Sequence, residues 1–271
     1  MIITRITTQK NNADRYNIYI NDGNGERFGF GLDEDVLVKH QIRKGMEITA
    51  FEVENLQQDD YKRRALNDAL QTISYKMRSA YEVKQKLAAK EYPEEVIEEA
   101  VNKVKEYGYI NDVEFAKAYV RTKKRTTDHG PVRIQDDLLQ KGVSQAIIDE
   151  ALVQFSIEEQ YETINKIVQK RNGKRQKDSF KVWKKKTIDA LTRKGFPLSL
   201  SNEVLHEIEE VEADHVKEQE LEALKLEAEK RLPKLERKYT TNEVELKLKE
   251  QLYRKGYPLG AIEQILRRLK E

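Results

Sequence analysis

Apolar positions recur with two different periods along the chain, and the change falls near residue 55. Before it the pattern is that of short strands. Ile2-Ile3-Thr4-Arg5-Ile6 and Tyr16-Asn17-Ile18-Tyr19-Ile20 are rich in β-branched and aromatic residues, and Asn21-Asp22-Gly23-Asn24-Gly25 before Glu26-Arg27-Phe28-Gly29-Phe30 signals a hairpin. Asp33 predicts a helix N-cap ahead of Val36, Leu37 and Ile42, with Lys44-Gly45 as the stop and a last strand from Met46 to Phe51. From Asp59 the period becomes helical: Ala65, Leu66, Ala69, Leu70 and Ile73 share a face, and Ser79 with Glu82 has the spacing of a capping box.

The stretch from Gly108 to Gly142 shows how the helical part is built. Asn111 and Glu114 cap a helix predicted to begin near Asp112, in which Val113, Phe115, Ala116, Tyr119 and Val120 recur at helical spacing. It ends in the basic run Arg121, Lys123, Lys124, Arg125. After a turn through His129-Gly130, Pro131 occupies a first helical position and Val132, Ile134, Leu138 and Leu139 form the next apolar face. Lys141-Gly142 is the stop, a cation in the last turn and a glycine able to take the left-handed conformation.

That helix, its stop and the helix after it return elsewhere, every fifty to sixty residues. Leu138-Leu139-Gln140-Lys141-Gly142-Val143-Ser144 aligns with Leu87-Ala88-Ala89-Lys90-Glu91-Tyr92-Pro93, with Leu191-Thr192-Arg193-Lys194-Gly195-Phe196-Pro197 and with Leu252-Tyr253-Arg254-Lys255-Gly256-Tyr257-Pro258. In the first copy Glu91 replaces the glycine, so that helix is expected to end without the usual cap. The expected fold is mainly α: tandem three-helix repeats forming an elongated curved array, after a small β-rich N-terminal module. The expected divisions are 1–55 for the module and 60–108, 109–155, 156–211 and 212–271 for the repeats. Leu87, Leu138, Leu191 and Leu252 should be buried at equivalent places.

Composition agrees with small repeated cores: of 271 residues 36% are charged and 38% hydrophobic, with 12 Gly and 5 Pro. Cysteine is absent, which excludes disulfides and thiolate metal sites and fits a reducing compartment. No apolar run approaches a membrane span and the first residues lack the build of a signal peptide, so a cytoplasmic protein is expected. The glycines Gly23, Gly25, Gly29 and Gly31 follow from the hairpin, since no lysine and hydroxyl residue stand after them in phosphate-loop order.

Net charge is only +2, but charge is sorted. Lys166 to Lys194 is strongly basic, and Glu203 to Glu229 is strongly acidic. Such a layout suits nucleic acid or a partner with its own charge pattern, and it also suits plain solvated helix faces. The runs Arg121 to Arg125 and Lys174 to Lys186 fall in corresponding places of adjacent repeats, which favours a contact surface. Candidate contacts are Arg121, Lys123, Lys124, Arg125, Arg133, Lys174, Arg175, Lys177, Lys181, Lys184, Lys185 and Lys186. Chemistry is not indicated. His40, His129, His206 and His215 show no metal-ligand order, and Asp59-Asp60 and Asp136-Asp137 read better as caps and exposed faces than as a metal-dependent nuclease pair. No nucleophile motif is present, so neither catalysis, a metal nor a cofactor is expected.

Three blocks resemble a known family: Arg78-Ser79-Ala80-Tyr81-Glu82-Val83 with Leu87, Gly108-Tyr109-Ile110-Asn111-Asp112 with Phe115, Ala116 and Tyr119, and Gly130 through Leu138 to Gly142-Val143. Their order and spacing are similar to those of the bacterial RecX regulators, in the long form found in Gram-positive bacteria. Ala80, where an acidic residue is common, and Glu91 depart from the pattern. The resemblance marks Ser79, Tyr109, Asn111, Asp112, Phe115, Gly130, Leu138 and Gly142 as structural positions. It implies a non-enzymatic, monomeric modulator of the RecA recombinase that lies in the groove of the RecA filament on single-stranded DNA and hinders extension, ATP hydrolysis and strand exchange. In that role it would regulate recombinational repair and the SOS response, with double-stranded DNA left open as a further partner. The rival is a helical-repeat DNA-binding protein that needs no recombinase, since three-helix units also build helix-turn-helix readers.

Overall fold

The computed structural model describes residues 1–173, 179–211 and 213–269. Among them three strands precede thirteen helices. Strands β1 (Ile2–Gln9), β2 (Asn12–Asn21) and β3 (Glu26–Asp33) form one antiparallel sheet in that order. Ile3 pairs with Ile20 and Ile18 with Phe30, so one face of the sheet is apolar. It packs with Val36 of α1 (Glu34–Lys39) and Leu56 of α2 (Ala50–Ser74).

Two local expectations fail here. Helix α1 stops at Lys39, short of Lys44-Gly45, because Gln41 turns to φ 51 and the Ile42 N–H bonds back to the Leu37 carbonyl. The strand from Met46 to Phe51 is replaced by a single bridge between Glu47 and Ile2. Thr49 and Glu52 form a full capping box and start α2 at Ala50, ahead of the helix expected from Asp59. The consequence is a shared helix. Leu56 of α2 is in the core of the sheet module, and Ala65, Leu66 and Ala69 are in the core of the first repeat. Buried charges add to this joint: Asp60 accepts from Arg15 at 2.8 Å and from the Asp33 N–H at 2.7 Å, and Asn67 donates to Asp33 at 2.8 Å.

The helices follow in sets of three. Helix α2 is joined by α3 (Ala80–Ala88) and α4 (Glu94–Glu106). Then come α5 (Asp112–Thr126), α6 (Pro131–Gln140) and α7 (Gln145–Leu152), followed by α8 (Ile157–Asn172), α9 (Phe180–Arg193) and α10 (Leu198–Val211). The last set is α11 (Ala213–Glu236), α12 (Thr241–Arg254) and α13 (Leu259–Arg268). The chain forms two compact units, residues 1–116 with 139–147, and residues 117–138 with 148–271. Leu87, Leu138, Leu191 and Leu252 are each 0% exposed, as the repeat alignment requires.

The four stops share one backbone geometry, including the first. Gly142, Gly195 and Gly256 have φ of 72, 86 and 87°, and Glu91 itself takes φ 63°. The Tyr92 N–H reaches the Leu87 carbonyl, as Phe196 reaches Leu191 and Tyr257 reaches Leu252. Glu91 therefore does not lose the cap; it makes the left-handed turn at a strain cost of about 1 to 2 kcal/mol. Packing explains why only the first copy tolerates this. At the later stops the start of the preceding middle helix presses on the turn: the Ser79 hydroxyl donates to the Lys141 carbonyl at 2.6 Å, the Gly130 N–H to the Lys194 carbonyl at 2.7 Å, and the Ser179 hydroxyl to the Lys255 carbonyl at 2.8 Å. A Cβ at Gly142 would enter the Tyr81 side chain, one at Gly195 the Arg133 backbone, and one at Gly256 would crowd the Ser179 hydroxyl. No repeat precedes the first stop, and Glu91 is exposed. Glu91→Gly should accordingly stabilise the fold by up to about 1 kcal/mol, strain relief less the extra entropy of a glycine. A denaturant midpoint that falls instead would contradict this account of the turn.

Candidate nucleic-acid interface

The basic residues separate into those turned outward and those engaged within the chain. Arg121 and Arg125 on α5 are exposed, Arg121 reaching the Gln154 side chain at 3.3 Å. Lys124, on the same helix, folds inward: its amine meets the Gln154 carbonyl and the Glu159 carboxylate, and it lies 5.4 Å from the Phe155 ring centroid. This lysine holds the Glu159 carboxyl below the usual range. Lys123 lies 5.2 Å from the Tyr119 ring centroid and 3.8 Å from Asp137. On α9, Lys181, Lys185 and Lys186 are exposed, whereas Lys184 pairs with Glu209 of α10 at 2.6 Å. Lys174, Arg175 and Lys177 lie outside the described residues.

Among the described residues the expected correspondence between the two basic runs is not found. Arg121 to Arg125 end α5, the first helix of its set, while Lys181 to Lys186 lie on α9, a middle helix. The residues that match the end of α5 are Lys170 and Arg171 at the end of α8. The sorted charge is also partly used up internally. Besides Lys184 with Glu209, the Tyr161 hydroxyl donates to Glu207, and the nearly buried Glu227 takes Arg231 at 2.6 Å and Lys255 at 2.7 Å.

The positions that the resemblance marks have the following surroundings. Ser79 is buried and caps α3. Asn111 accepts from the Val113 and Glu114 N–H groups, and Asp112 accepts from the Ala80 N–H at 2.9 Å, tying the start of α5 to the start of α3. Phe115 is buried. Tyr109 is 64% exposed and meets Tyr107 edge-on at 6.1 Å.

Around Asp137 the structure gathers residues that the sequence did not connect. The Tyr119 hydroxyl donates to it at 3.1 Å, Arg133 Nε lies 3.5 Å away and His129 Nδ1 4.0 Å away. Burial holds the His129 pKa below its ordinary value, reinforced by Lys123, Arg133 and Lys194 and opposed by Asp137. Lys194 meets the exposed Asp128 at 3.2 Å. Elsewhere His40 and Lys39 converge on Asp59, whose carboxyl is held low chiefly by the Lys39 hydrogen bond. Among the described residues no group of three side chains could hold a metal ion, and no helix is long and apolar enough to cross a membrane.

Comparison with known proteins covers nearly the whole chain. Family models match for the regulatory protein RecX N-terminal domain at residues 1–49, the RecX first three-helix domain at 65–103 and the second at 111–152. The RecX third three-helix domain matches twice, at 158–205 and at 218–266. A regulatory protein RecX from Geobacillus sp. (strain WCH70) is 39% identical over 270 residues, covering 100% of this chain and 98% of the relative. One from Bacillus subtilis (strain 168) is 38% identical over 267 residues, 97% of each. A crystal structure of regulatory protein RecX has a TM-score of 0.65 at 33% identity, covering 75% of this chain and 98% of the other. RecX from Lactobacillus salivarius gives 0.53 at 30% identity, over 56% of this chain and 98% of that one.

Proposed function

The chain belongs to the RecX family of regulatory proteins, and on that premise we propose that it is a non-enzymatic negative modulator of the RecA recombinase. It binds the RecA filament on single-stranded DNA as a cytoplasmic monomer and hinders filament extension, ATP hydrolysis and strand exchange, thereby regulating recombinational repair and the SOS response. The working parts are the module at 1–55 and the repeats at 60–108, 109–155, 156–211 and 212–271.

The charge on three of the four third helices supports this reading over that of an independent DNA reader; the fourth, α13, carries Glu263 with Arg267 and Arg268. In a helix-turn-helix protein the recognition helix enters the major groove and so approaches phosphates. Here α4 carries Glu94, Glu95, Glu98, Glu99 and Glu106 against Lys103 and Lys105, α7 carries Asp149 and Glu150, and α10 carries Glu203, Glu207, Glu209 and Glu210 with no lysine or arginine. Acidic helices of this kind are repelled by a duplex and suit a protein partner, while the outward cations of α5 and α9 remain for the DNA that the filament carries.

The test is RecA filament assembly and ATPase on single-stranded DNA with this protein at substoichiometric ratio, where inhibition is expected. Equal binding to bare strands without inhibition would favour the DNA-binding rival. Replacing Arg121, Arg125, Lys181 and Lys185 together by Gln should weaken inhibition at low salt. Stability should change by no more than about 0.5 kcal/mol per surface site. A variant that inhibits like the parent at every salt concentration would show those residues to be solvated faces.

A further inference from the structure

At two of the three junctions between repeats the lysine of the stop is neutralised by a shielded glutamate. Lys141 Nζ lies 2.8 Å from Glu82, and Lys255 Nζ lies 2.7 Å from Glu227. Burial alone would raise the Glu82 carboxyl, but Lys141 and the Ser79 N–H hold it below the usual range. Between the second and third repeats the arrangement is reversed. Glu82 stands three residues after Ser79, and Arg133 stands three residues after Gly130, the two residues that bond the following stop. An arginine therefore occupies the place that the glutamate has at the first junction, and it does so beside Lys194. The approach is close, since the Val132 N–H donates to the Gly195 carbonyl at 3.1 Å and a Cβ on Gly195 would collide with Arg133.

The nearby carboxylates are shared or solvated and compensate this charge only weakly. Asp137 is shared among Arg133, Lys123, His129 and the Tyr119 hydroxyl, and its ion-pair distances of 3.5 to 4.0 Å are long. Asp128, the partner of Lys194, is largely exposed, and so is Asp136 on the next turn of α6. His129 Nδ1 is buried without a hydrogen-bond partner. Three cations and a histidine from α5, the turn before α6, α6 and the end of α9 thus face one shared carboxylate, Asp137, and two solvated ones, Asp128 and Asp136. The Arg133 side chain is 51% exposed and that of Lys194 36%, so both can meet a ligand from solvent.

We propose that Lys123, His129, Arg133 and Lys194 form a binding site for a backbone phosphodiester of single-stranded DNA at the joint of the second and third repeats. The proposal rests on the nucleic-acid part of the function above and assigns it a place. An anion there meets cations whose own carboxylates are shared or solvated, and the forked guanidinium of Arg133 matches phosphate oxygens. The outward Arg121 and Arg125 of α5 and Lys185 of α9 extend the cationic surface for neighbouring phosphates.

The test uses the full chain and a fluorescent oligothymidylate without recombinase, titrated by anisotropy between about 50 and 200 mM salt. Each phosphate contact on a single strand contributes about 0.7 to the log–log salt slope, so Arg133→Gln should lower it by part of that amount and Arg133→Gln with Lys194→Gln, which removes the site's one phosphate, by about 0.7. Arg133→Glu restores the carboxylate of the first junction and should leave the melting temperature unchanged or higher while weakening binding further. If these variants fold and keep the parent's affinity and slope, the proposal is overturned. It is also overturned if they lose RecA inhibition yet bind the bare strand unchanged, because the anion met is then a protein carboxylate. A parent protein that shows the slope changes but never inhibits RecA supports the site and removes the wider reading.

Discussion

Gly195→Ala is expected to destabilise the protein by about 2 to 5 kcal/mol, combining the strain of a side chain at positive φ with overpacking of a close backbone contact. The residue has φ 86°, and the added carbon would meet the Arg133 backbone N and Cα as well as its Cβ, so no flexible side-chain tip can move aside. Gly108→Ala is the control: its φ of 76° is similar, but the space around it is open, and only about 1 to 2 kcal/mol should be lost. Trp183, the one tryptophan of the chain, is buried in the first turn of α9, the helix that this stop ends, and reports unfolding by fluorescence in denaturant. Equal losses for the two variants would mean that the junction does not need the glycine for packing.

Leu138→Ala should cost about 2 to 5 kcal/mol, the range for emptying a fully buried leucine site. Leu138 is 0% exposed on α6, between the Gly130 and Gly142 turns that join its repeat to its neighbours. Circular dichroism during thermal unfolding measures the loss. A value below about 1 kcal/mol would show that the surroundings collapse onto the gap, and that the repeated leucine is not the anchor the alignment makes it.

Much of the fold was legible because its signals are local. A capping box spans four residues and a lysine–glycine stop two, and the helical period shows within one helix; four copies in register then reinforce each other. The failures come where one local signal outcompeted another, or where the deciding partner is far away. Thr49 with Glu52 starts a helix inside a stretch whose β-branched residues suggested a strand. Glu91 keeps the left-handed turn because nothing presses on it, a fact about the missing neighbour rather than about residues 87–92. The candidate surface was less legible still. Lys124 looked like its neighbours Lys123 and Arg125 until Glu159 folded against it, and Lys184 until Glu209 did. Conversely, aligning the N-caps as well as the stops would have shown Arg133 in the place of Glu82, but only the junction geometry says what that place is.

The junction chemistry differs at the first stop and at the last middle helix. Each joint needs a stop that another chain segment can approach without meeting a side chain, and a donor at the start of a middle helix. At the first stop Glu91 presents a side chain in that position. At the start of the last middle helix the Thr240 hydroxyl is turned to its own Glu243 at 2.7 Å. Two copies of the chain meeting end to end would bring a blocked acceptor to an occupied donor. At these two positions the contacts that hold neighbouring repeats together are therefore not offered in the same form.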